Sequence, residues 1–159
     1  MKKPAHSHAH DHSAEPLAEL TSRLRQKSQR VTGPRQAILE LLRQHRHPMT
    51  NKEIHAALGK GDCDLATIYR SMHLLEGVGM VKRFDFGDGV ARFELVTCDE
   101  HAHHHHLVCT ACGAISEVDD CGIDAVTAEA ARRSGFHIQS HRLELFGRCP
   151  RCKELEAHQ

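Results

Sequence analysis

Two C-x-x-C pairs, Cys109-Thr110-Ala111-Cys112 and Cys149-Pro150-Arg151-Cys152, bracket 36 intervening residues. Each pair places two thiolates on one tight turn, and two such turns make a tetrahedral four-sulfur cage. That is a closed structural zinc site with no open coordination position for chemistry. A redox C-x-x-C is the other reading of a single copy; two copies around one small module favour zinc. The chain has seven cysteines, an odd number that cannot all pair within one chain. Cys63 and Cys121 read as structural or incidental.

The charge is divided as unevenly as the cysteines. Twenty-one Lys and Arg balance 21 Asp and Glu over 159 residues. Residues 1–95 nevertheless carry 15 basic and 11 acidic side chains, and residues 96–159 carry 6 and 10. Six of the seven Cys lie in the second part. A mildly basic front joined to a ligand-rich back suggests a nucleic-acid reader fused to a metal module, although ordinary surface variation gives a difference of this size as well. Hydrophobic residues make up 40% of the chain, enough for a core, which excludes a wholly disordered protein. No run of about 18 apolar residues is present, so no membrane partner is expected. Residues 1–16 are polar and lack the apolar centre of a secretory signal. The expected location is cytoplasmic, where disulfides are disfavoured.

Within that front part, His6-Ser7-His8-Ala9-His10-Asp11-His12 reads as a disordered His-rich tail over 1–16, either a loose metal binder or a solvated lead. Helical spacing begins with Leu17, Leu20 and Leu24. Thr32, with Pro34 in the first turn, opens a second helix that carries Ile38, Leu41 and Leu42 and ends near His45. Thr50-Asn51-Lys52-Glu53 is a capping box for a third. Asp64 caps a fourth, which runs to about Gly77. Its stripe of Leu65, Ile68, Met72 and Leu75 leaves Thr67, Tyr69, Arg70 and His73 largely off the buried side. Met80–Phe86 and Arg92–Val96 alternate around Gly87-Asp88-Gly89, a hairpin signal. A helix-turn-helix followed by a hairpin is a winged helix. Beyond it, His106–Cys109 and Ala114–Val118 read as strands, Gly122–Arg133 as a helix and Phe136–Phe146 as a further strand. The fold class is therefore α+β: an N-terminal winged helix and a small α/β module whose thin core needs metal or dimerisation.

The run His101-Ala102-His103-His104-His105-His106 abuts the first cysteine turn. On a strand, His103 and His105 face one way and His104 and His106 the other. One run thus supplies two bidentate pairs for two metal sites. A fortuitous His-rich loop is the plainer reading, but it leaves the adjoining strand and cysteines without a reason.

The stretch HHHHLVCTACG over 103–113, followed by His141 and the closing C-x-x-C, resembles the ferric uptake regulator (Fur) family of dimeric, metal-responsive DNA-binding repressors. Arg30–Arg35 (RVTGPR) is similar to that family's RxTxPR, and Ala66–Arg70 (ATIYR) to its ATVYR recognition helix. The resemblance runs from about Leu17 to Cys152. It implies a winged-helix DNA-binding domain over 17–96, a hinge over 97–102 and a dimerisation domain over 103–159.

The resemblance also implies roles. Cys109, Cys112, Cys149 and Cys152 match the structural zinc site. His47, Glu94, His104, His106 and Glu117 match a regulatory metal site, with His45 competing for the place of His47. His103, His105, Asp124 and His141 match a second site, where the family more often has Glu in the place of Asp124. Cys98 matches a soft ligand used by zinc-sensing members and would displace Glu94; a small buried residue is the alternative. A sulfur-nitrogen set favours zinc, whereas a nitrogen-oxygen set suits iron(II) or manganese(II). The expected cofactors are structural Zn2+ and a regulatory Fe2+ or Zn2+, with Mn2+ ranked after them.

His47 and Glu94 fall in the front domain, and His104, His106 and Glu117 in the back one. A metal held by both sets fixes the relative orientation of the domains and favours a closed dimer matched to a palindromic operator. Tyr69 would meet thymine methyls, Arg70 phosphate or base edges, Thr67 the DNA backbone and Arg30 the minor groove. The expected partners are double-stranded operator DNA and a second copy, with no small-molecule substrate and no enzymatic activity. A metal-dependent hydrolase is the less economical reading, because the ligand sets are saturated and no HExxH or Ser/His/Asp order is present. A His-rich metal buffer leaves the winged helix unexplained.

Overall fold

The structure is a computed structural model and describes residues 15–45, 47–59, 63–96, 105–118 and 122–157. Helices α1 (Leu17–Gln26), α2 (Gly33–Gln44), α3 (Asn51–Leu58) and α4 (Leu65–Gly77) lead, with a two-residue strand β1 (Met49–Thr50) between α2 and α3. Strands β2 (Val81–Asp85) and β3 (Ala91–Leu95) form the wing. They make an antiparallel sheet in the order β1-β3-β2, with Met49 opposite Phe93 and Lys82 opposite Glu94. The wing is the expected hairpin; β1 is an addition that two residues of sequence pattern do not announce.

Local chemistry sets the helix starts. The Thr50 N–H donates to the Glu53 carboxylate at 2.7 Å, and the Glu53 N–H donates to Thr50 Oγ1 at 3.1 Å, which completes the capping box. Asp64 accepts the Thr67 N–H at 2.6 Å, and that bond holds its carboxyl below the usual range. Thr32 stands at the N-cap of α2 but makes no side-chain cap bond; Pro34 supplies the preset first turn instead.

Leu20 and Leu24 of α1, Ile38 and Leu39 of α2, Ile54 of α3 and Ile68, Met72 and Leu75 of α4 are completely buried in one core. Leu65 is only half-buried, and Ser71 takes the remaining buried place on α4. The opposite side of α4 is open to solvent: Tyr69 is 52% exposed, and Arg70 and His73 are exposed beside it. Tyr69 is therefore not a core aromatic.

The second half comprises β4 (His105–Cys109), β5 (Ile115–Val118), α5 (Ile123–Ser134), β6 (Glu144–Gly147) and α6 (Pro150–Ala157). Strand β4 is central, antiparallel to β5 and parallel to β6. The expected strand over 136–146 is corrected here. Only Glu144–Gly147 is strand, and residues 135–143 run without regular structure. Alternation alone does not make a strand; it needs a ladder partner, and β4 is five residues long. The irregular stretch instead lines a cavity of about 290 Å³ with Thr127, Ala128 and Ala131 of α5.

The thin second core is as expected. It consists of Phe84, Phe86 and Val108 with Ile115 packed against them, so two of its four members come from the front half. Helix α5 buries no residue, while Val126, Phe136, Leu145, Phe146 and Leu155 are exposed.

Candidate metal centres

Strand β4 ends on Cys109, and Gly113, at φ +72°, lets the chain reverse directly after Cys112. Pairing of β6 with β4 then carries Cys149 to the same place, with Cys152 on the first turn of α6. The four Sγ atoms all lie within 4.8 Å of one another, and Cys112 and Cys149 are 3.7 Å apart. A tetrahedron with Zn–S bonds of about 2.3 Å has sulfur–sulfur edges of about 3.8 Å. The four cysteines therefore fit a zinc ion, and they form a set with no open face.

The polar groups around the sulfurs prepare them as thiolates. The Cys149 N–H donates to Cys109 Sγ at 3.3 Å. That bond, with the N–H groups of Cys112 and Ala111, brings the Cys109 thiol down to about 6. The Ala114 N–H lowers Cys112. Cys152 is pushed up to about 12, because Cys112 and Cys149 accept its proton and the neighbouring sulfurs resist a further negative charge. A divalent cation held by the four sulfurs would take the place of that last proton. Cys63 stands apart, half-buried against the helical core, as its structural reading expects.

A second centre lies between the two sheets. His106 is 2% exposed, and its Nε2 lies 3.2 Å from Glu94 Oε2 on β3. Glu117 of β5 is directly opposite His106 in the ladder, and Glu144 of β6 flanks it on the other side. His47 enters at the same end of β3, since Met49 pairs with Phe93, but it is exposed and has no described bond to Glu94 or His106. Among the described residues, the cysteines alone bring three or more donors within 4.8 Å. The structure thus joins Glu94 to His106, aligns Glu117 and leaves His47 nearby. Two carboxylates and an imidazole converge fully only on a cation that offsets the carboxylates' repulsion. His45 is turned back, its Nδ1 2.9 Å from the Leu41 carbonyl, which favours His47 over it. His103, His104 and Cys98 lie outside the described residues.

A third constellation sits on the other side of β4. His105, 5% exposed, and His141 face each other with Nε2 atoms 3.1 Å apart. Two nitrogens on a tetrahedral zinc at about 2.05 Å stand about 3.3 Å apart, so this pair fits a cation. Asp124, in the first turn of α5, is exposed and has no described contact with the pair. The alternation of the His run holds where it is described: His105 and His106 take different partners on opposite faces.

Sequence pattern missed the support of His106. The Phe84 ring meets it edge-on at 4.7 Å between centroids and the Phe86 ring at 5.6 Å. Phe84 lies in β2 and Phe86 two residues on, just beyond its end, and both rings meet His106. That spacing was the available signal, but it reads equally as ordinary core. Lys82 Nζ lies 4.9 Å from the centre of the Phe84 ring, and the Arg92 guanidinium 5.5 Å from that of Phe86. Phe84→Leu removes an edge contact while keeping apolar bulk. It is expected to weaken divalent-cation affinity at the Glu94–His106 pair roughly two- to tenfold, the value of one aromatic pair, with the zinc content unchanged. Calorimetric titration of the zinc-loaded protein checks this.

The remaining candidate residues lie on the helical half. Thr67 Oγ1 accepts from Arg70 Nη2 at 2.9 Å. Arg30 is exposed ahead of α2, its carbonyl bonded by Arg35 Nη1 at 2.6 Å. Tyr69 and Arg70 are exposed on α4, with Thr67 half-buried beside them.

Comparison with known proteins gives concordant results. A profile of the Ferric uptake regulator family matches residues 26–146. The peroxide operon regulator of Bacillus subtilis is 35% identical over 148 residues, 92% of this chain and 99% of that protein. A zinc-bound manganese uptake regulator is 31% identical in sequence, with a TM-score of 0.69 over 85% of this chain and 99% of that one. A Helicobacter pylori ferric uptake regulator, described as having three functional metal-binding sites, shares the fold with a TM-score of 0.77 at 20% identity, over 88% of this chain and 95% of that one.

Proposed function

Because the chain belongs to the ferric uptake regulator family of metal-dependent transcriptional repressors, we propose that regulatory-metal binding between its two sheets sets the DNA-binding domains of a homodimer for a palindromic double-stranded operator. The observation that carries this reading is the 3.2 Å approach of Glu94, on the wing sheet, to His106, on the cysteine-bearing sheet. Glu117 opposite His106, with His47 and His104, completes the regulatory set. A divalent cation held there, iron(II) or zinc(II), supplies the positive charge that lets both carboxylates approach.

The protein's own groups do the rest. Glu94 lies on the strand that pairs with Lys82 and Arg83, so its position sets that of the wing. Phe84 and Phe86 press on His106 and fix the imidazole against the hairpin. The wing and α4 share one core, because Val81, Phe93 and Leu95 pack with Ile68 and Met72. Movement of Glu94 therefore reorients α4. Tyr69 offers its ring to thymine methyls, Arg70 and Thr67 bind the phosphate backbone or base edges, and Arg30 reaches the minor groove. His105, His141, His103 and Asp124 form a second site within the back domain.

A division into a DNA-binding domain over 17–96, a hinge over 97–102 and a dimerisation domain over 103–159 accommodates these roles. The exposed Val126, Phe136, Leu145 and Phe146 supply apolar surface for a second copy. No described helix is long and apolar enough to cross a membrane; a cytoplasmic location fits the family.

Binding to a palindromic DNA selected from random sequence tests the proposal. Titration with iron(II), zinc(II) or manganese(II) is expected to strengthen binding, and a chelator that spares the cysteine site to abolish it. By reciprocity, DNA should tighten metal binding by the same factor. Full-strength DNA binding by protein lacking the regulatory metal overturns the mechanism.

A further inference from the structure

One exposed polar side chain of α4, His73, plays no part in the roles given so far. It makes no hydrogen bond, ion pair or ring contact among the described residues.

The turn of the helix fixes which way His73 faces. Ile68, Ser71, Met72 and Leu75 are the buried residues of α4. Ala66, Tyr69, Arg70, His73 and Gly77 are exposed. At about 100° of rotation per residue, the buried positions centre on one direction. His73 and Arg70 then lie about 30° to either side of the opposite direction, and Tyr69 lies about 70° from it. Ala66 and Gly77 share this outward stripe but carry no polar side chain. Glu76, the one acidic residue of α4, is half-buried and stands about 90° away. The outward stripe therefore holds no carboxylate to repel a phosphate-bearing partner.

The two most outward polar side chains are placed differently along the axis. The Arg70 guanidinium is drawn toward the first turn, its Nη2 donating to Thr67 Oγ1 at 2.9 Å. His73 stands three residues further on, about 4.5 Å along the helix, close to the rise of about 3.4 Å between successive bases. A homeodomain reads the major groove with four residues of one helix at i, i+3, i+4 and i+7. Ala66, Tyr69, Arg70 and His73 have that spacing, and His73 takes the fourth place.

The chemistry of the side chain selects the base. A free imidazole N–H is a hydrogen-bond donor. In the major groove, guanine presents N7 and O6 as neighbouring acceptors. Adenine sets a donor beside its N7, thymine a methyl beside its O4, and cytosine shows a donor. Guanine is thus the base that best receives a donor at this position.

We propose that His73 is a specificity-determining residue that reads guanine in the major groove, through a hydrogen bond from its imidazole N–H to N7 or O6. This inference rests on the DNA-binding role given to α4 above.

The test uses the full chain with zinc in the cysteine site and Mn2+ as the regulatory metal. Duplexes of random sequence are selected with wild-type, His73→Ala and His73→Asn protein. Wild-type protein is expected to enrich guanine at one position of each half-site. His73→Ala should lose that preference alone, and should bind the wild-type sequence on the order of tenfold more weakly. His73→Asn should enrich adenine at the same position, because a carboxamide pairs with adenine N6 and N7. A switch of base is a gain that a folding defect does not produce. Equal guanine enrichment by wild-type and His73→Ala protein overturns the assignment. Uniform weakening on all sequences with a smaller salt dependence marks a phosphate contact and overturns it as well. Wild-type selection that is unchanged without Mn2+ overturns the regulatory reading instead, and the two variants still decide the role of His73.

Discussion

Cys109→Ser is expected to remove the structural zinc and, with it, the dimer. The back half has almost no apolar interior of its own: α5 buries nothing, and only Val108 and Ile115 join the two wing phenylalanines. The β4–β5 turn and the start of α6 are held together chiefly through the four sulfurs. Serine offers an alcohol that stays protonated at neutral pH, in place of a thiol already drawn down to about 6, so the cage loses its most readily formed anion. Metal-dependent domains of this size fold only with their ion bound. Metal analysis should show zinc falling from about one ion per chain to none, and sedimentation should show a monomer. The helical half should keep its structure by circular dichroism, since its core is separate. Cys63→Ser, at a half-buried position on that helical core, should retain zinc. A zinc-replete, dimeric Cys109→Ser protein refutes the structural assignment.

His106→Ala is expected to have the opposite profile: zinc and dimer retained, metal-responsive DNA binding lost. His106 is the buried residue at which a strand of the back half meets Glu94, Phe84 and Phe86 of the wing. Its removal deletes a donor and opens the contact that ties wing to sheet. Loss of a residue that merely supports a metal ligand costs about 10–100-fold in affinity. Loss of His106 should exceed the upper end of that range. Anisotropy of labelled DNA at fixed metal reads the effect directly. His106→Gln, which restores a polar group but not an imidazole, should not rescue it. A metal response of normal size in either variant excludes His106 from the regulatory site.

These two expectations differ in how far sequence alone carries them. Each cysteine turn was legible because spacing in C-x-x-C is local: two residues between thiols set their separation, whatever the rest of the chain does, and two such turns in one small module pointed to a shared ion. The capping box at Thr50, the Asp64 cap and the solvent side of α4 were legible for the same reason, being encoded within one or two helical turns. The strand over 136–146 was misread because alternation reports which residues would share a face. It does not report whether a neighbouring strand exists to pair with them.

The Glu94–His106 contact was reached from sequence only through the family resemblance. His106 and Glu94 stand twelve positions apart on different sheets, and nothing in the pattern between them sets their separation. The Phe84 and Phe86 rings against His106, and the hydrogen bond from the Arg23 guanidinium to the Val96 carbonyl 73 residues away, carried no motif at all. Sequence by itself determined the two cysteine turns, the helix-turn-helix with its wing, and the opposite facing of His105 and His106, because each depends on backbone periodicity or short-range spacing; the pairing of β6 with β4 brings the two cysteine turns together. Only the tertiary structure decided which His meets which carboxylate and what holds the wing to the second sheet. Those contacts arise from packing between distant segments, where burial and charge, not spacing, choose the partner.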